Sequence, residues 1–415
     1  MQAEIIALGT VILLGEIVNT NAQYLSSELA ALGIEVYYQS VVGDNPERLE
    51  NTIFNSFEHS DIVVTTGGLG PTVDDLTKET GAAYFGKKLV LDERALGRIE
   101  KFFHRMGREM TENNKKQAYV PEGSVILYND NGTAPGIIIE ENGKILIMLP
   151  GPPKELYPMF EKYAKPYLAS KQEYTLVSRV LKIAEVGESA METLVRDIID
   201  AQTNPTIAPY AKPSGSLLRI TAKAKNAGEA KMLIDPVAKS IYERLGESVY
   251  AEDDTTMEEV IIKLLEEKNL TIALAESCTG GMVTSELVSV PGVSRVLKES
   301  FVTYSNEAKI SRLGVKKETL DKYGAVSAET AHEMAEGAAM AAGTDIGLSI
   351  TGIAGPDGGT DEKPVGLVYF GIYIRGKIKT KELRFVGKRQ RIRERATVSA
   401  LNWLRLELIK TGNRP

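Results

Sequence analysis

Short apolar runs alternate with amphipathic stretches through the first 170 residues. The apolar runs predict strands at 4–8, 61–65 and 144–149, and the amphipathic stretches between them predict helices. This alternation is typical of α/β layering around a mainly parallel sheet. The pattern therefore predicts an α/β domain over residues 1–170.

The pattern changes near residue 171. Two β-rich runs at 178–183 and 216–224 accompany helical patterns at 187–201 and 227–245. Strands and helices mixed in this way predict a small α+β module over residues 171–252.

From residue 253 onward the α/β character returns, with a strand at 271–275, a helix at 282–288 and a new set of loops. We therefore predict a C-terminal α/β domain over residues 253–415. A chain of 415 residues exceeds the ~100–200 residues of a typical domain, which agrees with this division.

The composition excludes several classes of function. A net charge of -7 argues against a protein that mainly wraps the nucleic-acid backbone. One cysteine and three histidines cannot form a disulfide framework or a Cys/His zinc site, so metal chemistry must use oxygen ligands. No apolar run reaches the ~20 residues of a membrane span, and the first residues lack the basic lead of a signal peptide. We expect a cytoplasmic protein that does not bind a membrane.

A small hydroxyl residue stands between the predicted strand at 271–275 and the predicted helix at 282–288. Ser277 there lies beside free backbone N–H groups at the positive end of a helix, a favourable place for a developing oxyanion. The position fits either a helix cap or a nucleophile. The segment reads Ala275-Glu276-Ser277-Cys278-Thr279-Gly280-Gly281.

Three further blocks follow, at 301–309, 349–359 and 363–366. They read Phe301-Val302-Thr303-Tyr304-Ser305-Asn306-Glu307-Ala308-Lys309, Ser349-Ile350-Thr351-Gly352-Ile353-Ala354-Gly355-Pro356-Asp357-Gly358-Gly359 and Lys363-Pro364-Val365-Gly366. In this order they resemble CinA, the competence-damage-inducible family, and they are similar to the stand-alone nicotinamide-nucleotide amidases.

The resemblance implies that nicotinamide mononucleotide is hydrolysed to nicotinic acid mononucleotide and ammonia, with Ser277 as nucleophile and Lys309 as its base. The chemistry is coherent if burial or a nearby cation lowers the pKa of Lys309. Without that context, Lys309 would be interpreted as a surface lysine pairing with Glu307 or solvent. Tyr304 either positions the nicotinamide ring or relays a proton, or it forms the edge of the core. Cys278 is interpreted as structural, because buried thiols are usually inert.

The resemblance also implies which residues bind the substrate. Arg389 and Arg393 share one face of the predicted last helix, and arginine forks suit the oxygens of a 5′-phosphate. A solvated helix face is the usual interpretation of such a basic run. The predicted substrate-binding residues are Thr279, Gly280, Asn306, Thr351, Gly352, Arg389 and Arg393. No cofactor is expected for this reaction.

Glycine-rich loops follow the apolar runs of the first domain, and their N–H groups could close on a phosphate. They include Gly9-Thr10, Thr66-Gly67-Gly68-Leu69-Gly70-Pro71-Thr72, Asn131-Gly132-Thr133-Ala134-Pro135-Gly136 and Pro150-Gly151-Pro152-Pro153. The set resembles the molybdopterin-binding fold of CinA N-terminal domains, which implies either ADP-ribose pyrophosphate hydrolysis or molybdopterin nucleotide transfer. The predicted nucleotide-binding residues are Gly67, Gly68, Gly70, Thr72, Gly132 and Thr133.

Pyrophosphate hydrolysis calls for a divalent metal such as Mg²⁺, Mn²⁺ or Co²⁺, and carboxylates are its natural ligands. The candidates are Asp44, Asp74 and Asp75, although Asp75 fits a helix cap equally well. The family usually has an acidic residue after the first Gly-Thr, where this chain has Val11. Because valine cannot bind a metal, we predict nucleotide binding with weakened hydrolysis.

Two alternatives belong to other classes of function. A nucleotide-sensing scaffold in competence or recombination would not need Ser277 and Lys309 together. A nucleic-acid-binding middle module would need a basic face, and Glu229 and Asp235 reduce the positive charge of this module. The cations that could form such a face are Lys212, Arg219, Lys223 and Lys225. The expected partners are pyridine nucleotides, ADP-ribose and a second copy of the chain in a homodimer.

Overall fold

The structure, a computed structural model, describes residues 1–172, 174–212 and 215–412. The side chain of Lys212 lies outside this description. The internal contacts divide the chain into two compact units, Met1–Ser178 with Ala222–Leu233 and Arg179–Thr221 with Ile234–Pro415. The segment 171–252 is therefore shared between them, and the domain boundaries at 170 and 252 stay a prediction.

The N-terminal part is built on a six-stranded sheet with the strand order β2-β1-β3-β8-β7-β6. Strands β1, β2, β3 and β8 run parallel, and β7 is antiparallel to both its neighbours. This confirms the predicted α/β domain with a mainly parallel sheet. Its strands are β1 (Gln2–Leu8), β2 (Glu35–Val42), β3 (Ile62–Thr66), β4 (Leu89–Leu91), β5 (Tyr119–Pro121), β6 (Val125–Leu127), β7 (Gly136–Glu141) and β8 (Lys144–Leu149). Its helices are α1 (Thr10–Leu13), α2 (Thr20–Ala31), α3 (Pro46–His59), α4 (Thr77–Tyr84), α5 (Glu93–Arg105), α6 (Pro153–Met159) and α7 (Lys165–Ala169).

Both faces of the centre of this sheet are covered, which explains why β1, β3 and β8 are mostly buried apolar runs. Ile5 packs into the cluster that contains Leu25 and Leu29 of α2. The next residue, Ile6, packs into the opposite cluster with Ile53 of α3. Because β1, β2, β3 and β8 are parallel, their carboxyl ends lie at one edge of the sheet, where ligands of such folds bind.

The middle segment forms a four-stranded sheet with the order β10-β11-β9-β12. Strands β10 and β11 pair antiparallel, as do β9 and β12. The predicted α+β pattern is confirmed. Its elements are β9 (Thr175–Ile183), α8 (Glu188–Asp200), β10 (Thr206–Lys212), β11 (Gly215–Ala224), α9 (Ala227–Leu245) and β12 (Val249–Glu252).

The C-terminal part has a five-stranded sheet with the order β14-β13-β15-β16-β17. Strands β14, β13 and β15 are parallel, while β16 and β17 are antiparallel to their neighbours. The strands are β13 (Ile272–Glu276), β14 (Leu297–Val302), β15 (Ile346–Gly352), β16 (Leu367–Ile374) and β17 (Lys377–Arg384). The helices are α10 (Met257–Glu267), α11 (Met282–Val288), α12 (Asn306–Leu313), α13 (Lys317–Tyr323), α14 (Ala328–Ala342) and α15 (Arg389–Lys410).

Strand β13 is the most protected strand of this sheet. Leu274 packs into the cluster that includes Leu404 of α15, and Ala275 packs on the opposite face with Met334 of α14. All five residues of β13 are buried. The turn that follows β13 is thus anchored in the centre of the sheet.

Among the described residues, no helix combines the length and the apolar character needed to cross a membrane.

Candidate active site

Ser277 begins the turn that connects β13 with α11. Its backbone N–H donates to Ile350 O of β15 at 2.9 Å, and its own carbonyl accepts from Gly280 N at 3.1 Å. Gly280 and Gly281 have φ values of 62° and 93°, a left-handed conformation that favours glycine. These hydrogen bonds stabilise a tight turn in which the Ser277 side chain is buried.

Glu276, which the sequence analysis did not single out, supports this turn. Its buried carboxylate accepts hydrogen bonds from the N–H groups of Gly281, Val283 and Thr284 at 3.0, 3.2 and 2.8 Å. The carboxylate thus satisfies the free N–H groups of the first turn of α11, where a negative charge is stabilising. The sequence did contain a signal for this role, because a charged residue directly follows the apolar run 272–275.

Lys309 lies in the first turns of α12, where Ser305 Oγ caps the helix by accepting from Ala308 N at 3.1 Å. The Lys309 side chain is 1% exposed, so the interpretation as a surface lysine is wrong. Its Nζ lies 3.0 Å from Ser277 Oγ. The same nitrogen donates to Thr303 O at 2.8 Å and to Tyr304 O at 3.3 Å.

Burial lowers the pKa of Lys309 to about 8, because the ammonium loses its hydration. A neutral amine has two N–H donors and one lone pair. With the donors on the carbonyls of Thr303 and Tyr304, the lone pair remains for the Ser277 hydroxyl. This arrangement suits proton transfer from serine to lysine.

Cys278 is buried beside the nucleophile turn, and desolvation raises the pKa of its thiol to about 12. A thiol with such a pKa is almost entirely protonated at neutral pH and is a poor nucleophile. The arrangement favours chemistry at Ser277.

The N–H groups of the turn are available to an oxyanion. Within residues 1–172, 174–212 and 215–412, neither the N–H of Cys278 nor that of Thr279 donates a hydrogen bond to another residue. The buried Thr279 hydroxyl also has none in this part of the chain. Free donors next to Ser277 are what a tetrahedral intermediate requires.

The two predicted phosphate ligands have different surroundings. Arg393 donates to the carbonyls of Cys278 and Thr279 at 3.1 and 2.7 Å, so it braces the nucleophile turn. Its role as a substrate ligand stays a prediction. Arg389 is exposed and donates to Gly355 O at 2.8 Å and to the Tyr304 hydroxyl at 3.1 Å.

Tyr304 is 62% exposed, so it does not form the edge of the core.

The other predicted binding residues differ in accessibility. Thr351 is buried and its hydroxyl donates to Ala325 O at 2.6 Å. Gly352 packs against Val368 of β16, where a Cβ would come within 2.7 Å of a side-chain carbon. Asn306 begins α12 with an exposed side chain, as Gly280 is exposed in the turn. These contacts pack Thr351 and Gly352 into the sheet, and their roles in substrate binding stay predictions.

In the N-terminal part, the loop that contains Gly67, Gly68, Gly70 and Thr72 follows β3 at the carboxyl edge of the sheet. Gly67 has a φ of 102°, and a Cβ there would lie 2.8 Å from Leu8 O. The position therefore requires glycine. Thr77 Oγ1 fixes the loop by donating to Gly67 O at 2.9 Å.

Two lysines that the sequence analysis missed, Lys78 and Lys116, support the end of this loop near Thr72 through hydrogen bonds to backbone carbonyls. Lys116 Nζ donates to Thr72 O at 3.1 Å and to Asp75 O at 2.5 Å. Lys78 is 2% exposed and donates to Lys116 O, and burial lowers its pKa to about 8. Their carbonyl contacts keep the loop in shape at the predicted phosphate site.

The second predicted nucleotide loop contains Gly132 and the half-buried Thr133. Gly132 lies against the Glu155 carboxylate, which accepts from Asn129 Nδ2 at 2.8 Å. Burial raises the pKa of Glu155. The loop is thereby tied to the segment that follows β8.

The structure does not bring Asp44, Asp74 and Asp75 together as predicted. Asp44 accepts from Thr10 N and Oγ1 at 3.1 and 2.8 Å, and Asp75 accepts from Thr72 N at 2.9 Å. Asp74 is exposed. In the described part of the chain, no three His, Cys, Asp or Glu side chains are placed to hold a metal ion. The predicted three-carboxylate metal site is therefore not formed among the described residues. Asp44 binds the first residue of α1, and Asp75 closes a turn with Thr72 but does not cap α4.

Three family models match consecutive parts of the chain. Residues 4–170 match MoCF_biosynth, a molybdopterin binding domain. Residues 178–251 match the damage-inducible protein CinA KH domain, and residues 254–408 match the CinA C-terminal domain.

Relatives with matching sequence span the whole chain. A competence-damage inducible protein of Clostridium novyi is 59% identical over 99% of this chain and 100% of its own. A CinA-like protein of Dictyoglomus turgidum is 57% identical with the same coverage, 99% and 100%. The crystal structure of CinA from Thermoplasma acidophilum is 37% identical, covers 40% of this chain and 98% of its own, and has a TM-score of 0.38.

Proposed function

This chain belongs to the CinA family, and on that premise we propose that its C-terminal domain hydrolyses the carboxamide of nicotinamide mononucleotide. The observation that carries the proposal is the buried contact of 3.0 Å between Lys309 Nζ and Ser277 Oγ. A fully buried lysine that faces a serine hydroxyl has the properties of a general base.

In the first half of the proposed reaction, neutral Lys309 takes the hydroxyl proton of Ser277 while Oγ attacks the carboxamide carbon. The carbonyl oxygen becomes an oxyanion, and the free N–H groups of Cys278 and Thr279 are suited to stabilise it. Lys309, now an ammonium, returns the proton to the amide nitrogen. The C–N bond breaks and ammonia leaves, so that an ester on Ser277 remains.

In the second half, water attacks the ester and Lys309 accepts its proton. Collapse of the second tetrahedral intermediate returns the proton to Ser277 Oγ and releases the carboxylic acid. The net reaction consumes one water and forms one acid and one ammonia, with no redox change and no cofactor. Glu276 and Arg393 keep the turn in position throughout.

The substrate phosphate gives a test of the binding mode. Arg389→Ala is expected to raise KM for nicotinamide mononucleotide about tenfold or more, because a charged hydrogen bond contributes roughly 1.5–3 kcal/mol. Nicotinamide riboside lacks the phosphate and should be hydrolysed equally poorly by both proteins. Ammonia release measures both rates. Equal losses on the two substrates would contradict a phosphate role for Arg389.

For the N-terminal domain we propose binding of ADP-ribose or a similar nucleotide at the loop of Gly67, Gly68 and Gly70. The loop lies at the carboxyl edge of the parallel strands, where α/β folds bind nucleotides. Since no three acidic side chains of the described residues are placed to hold a metal ion, we derive no hydrolytic step for this domain.

The variant Val11→Glu tests whether the missing acidic residue at position 11 is the reason for weak ADP-ribose hydrolysis. The unmodified chain is expected to bind ADP-ribose with weak or absent cleavage in the presence of Mg²⁺, Mn²⁺ or Co²⁺, and Val11→Glu, which adds a carboxylate, should increase cleavage. Val11 is 44% exposed next to Thr10, which binds Asp44, so a glutamate fits there without burying its charge. Val11→Gln is the matched control. Rapid cleavage by the unmodified chain would show that Val11 does no harm.

A further inference from the structure

The first turns of α15 carry more positive charge than the active site uses. Five cations and one acid lie between residues 388 and 395. Arg389 and Arg393 face the nucleophile side, while Ile392 and Ala396 are buried in the core. The remaining cations form a different face of the same helix: Lys388, Arg391 and Arg395.

These three cations line a cleft of about 1240 Å³ within the second unit. Its apolar wall includes Leu383, Phe385 and Val398. The Arg395 guanidinium lies 5.4 Å from the centroid of the Phe385 ring. The cleft therefore combines an apolar surface with a charged one on which cations outnumber acids. Its five cations are Lys381, Arg384, Lys388, Arg391 and Arg395, and its three acids are Glu185, Glu188 and Glu394.

The cations of the cleft differ in their partners. Lys381 pairs with Glu185 at 3.5 Å. Lys388, Arg391 and Arg395 make no ion pair within residues 1–172, 174–212 and 215–412. Cations at a helix N-terminus oppose the helix dipole and repel one another. An anion between them would relieve both costs.

We propose that this cleft binds a nucleotide with two or more phosphate groups. The phosphates would contact Lys388 and Arg391, since arginine presents paired donors to phosphate oxygens. The base would lie against Phe385 and Leu383. The site is distinct from the amidase site, because neither Ser277 nor Lys309 lines it.

Hydrogen–deuterium exchange of the full chain, with ADP as the probe, tests this site. ADP is expected to protect the amides of 383–399, and adenosine should protect them far less. In the Lys388→Ala/Arg391→Ala variant the ADP concentration for half protection should rise about tenfold or more. Arg389→Ala should leave this protection intact.

The matched control removes two exposed cations outside the cleft, Lys239→Ala/Lys263→Ala, whose side chains are 79% and 76% exposed. It should bind ADP as the unmodified chain does. Thermal unfolding checks that the variants fold. Protection confined to 66–75, or equal protection by adenosine, would overturn the proposal. Protection by a single-stranded oligonucleotide but not by ADP would also overturn it and indicate a nucleic-acid surface.

Discussion

Replacement of Ser277 by alanine is expected to reduce ammonia release from nicotinamide mononucleotide by roughly 10³-fold or more, the scale seen when a catalytic nucleophile is removed. The reason is that no other group replaces it: the thiol of Cys278 is protonated at neutral pH because burial raises its pKa. The measurement is kcat at saturating substrate.

Cys278→Ala is the neighbouring control and should keep most of the activity. The Ser277 variant should also keep its fold, because the turn is held by backbone bonds and by Glu276 rather than by the Ser277 hydroxyl. If the alanine variant releases ammonia at near the normal rate, or if Cys278→Ala loses activity without unfolding, the serine mechanism is wrong.

Lys309→Met is expected to cause a loss of similar size, since nucleophile and base act as a unit. The double variant with Ser277→Ala should then be hardly worse than either single variant. Lys309→Arg retains a charge but cannot accept a proton near neutral pH, so it should be inactive as well. An additive loss in the double variant would show that Lys309 does not act through Ser277.

The pH dependence follows from the same lysine. Only the neutral amine can accept the serine proton, so kcat/KM should rise with pH through about 8 and then level off. The folded-state pKa lies below the ordinary value of 10.5. The unfolded chain therefore binds more protons between about 8 and 10.5, and stability should increase with pH in that window. A rate that levels off well below pH 8 would contradict this assignment.

Much of the fold could be predicted from the sequence because it depends on local patterns. The apolar run at 144–149 and the helical pattern at 282–288 correspond to β8 and α11 with the predicted bounds. The parallel sheet also followed from the alternation of strands and helices. These features depend on side-chain periodicity, which residues close in sequence determine.

In the candidate site, the sequence motifs identified Ser277 and Lys309 as a pair. The distance between their side chains depends on tertiary structure, because the two residues lie 32 positions apart and approach each other through the parallel pairing of β13 and β14. Burial of Lys309 is likewise a result of packing around α12, and this burial lowers its pKa.

The sequence could not determine where long polar side chains point. Arg389 and Arg393 are alike in the sequence, yet one reaches Tyr304 and the other braces the turn carbonyls. The three aspartates of the predicted metal site are identical in type, yet among the described residues they do not form a group that could hold a metal ion. Residue type determines which bonds a side chain can make, whereas the positions of its neighbours in the folded chain decide which bonds it does make. For this reason the sequence was enough to propose Ser277 and Lys309 as the reacting pair. The contacts of Glu276, Arg393 and Asp75 were decided only by the tertiary structure.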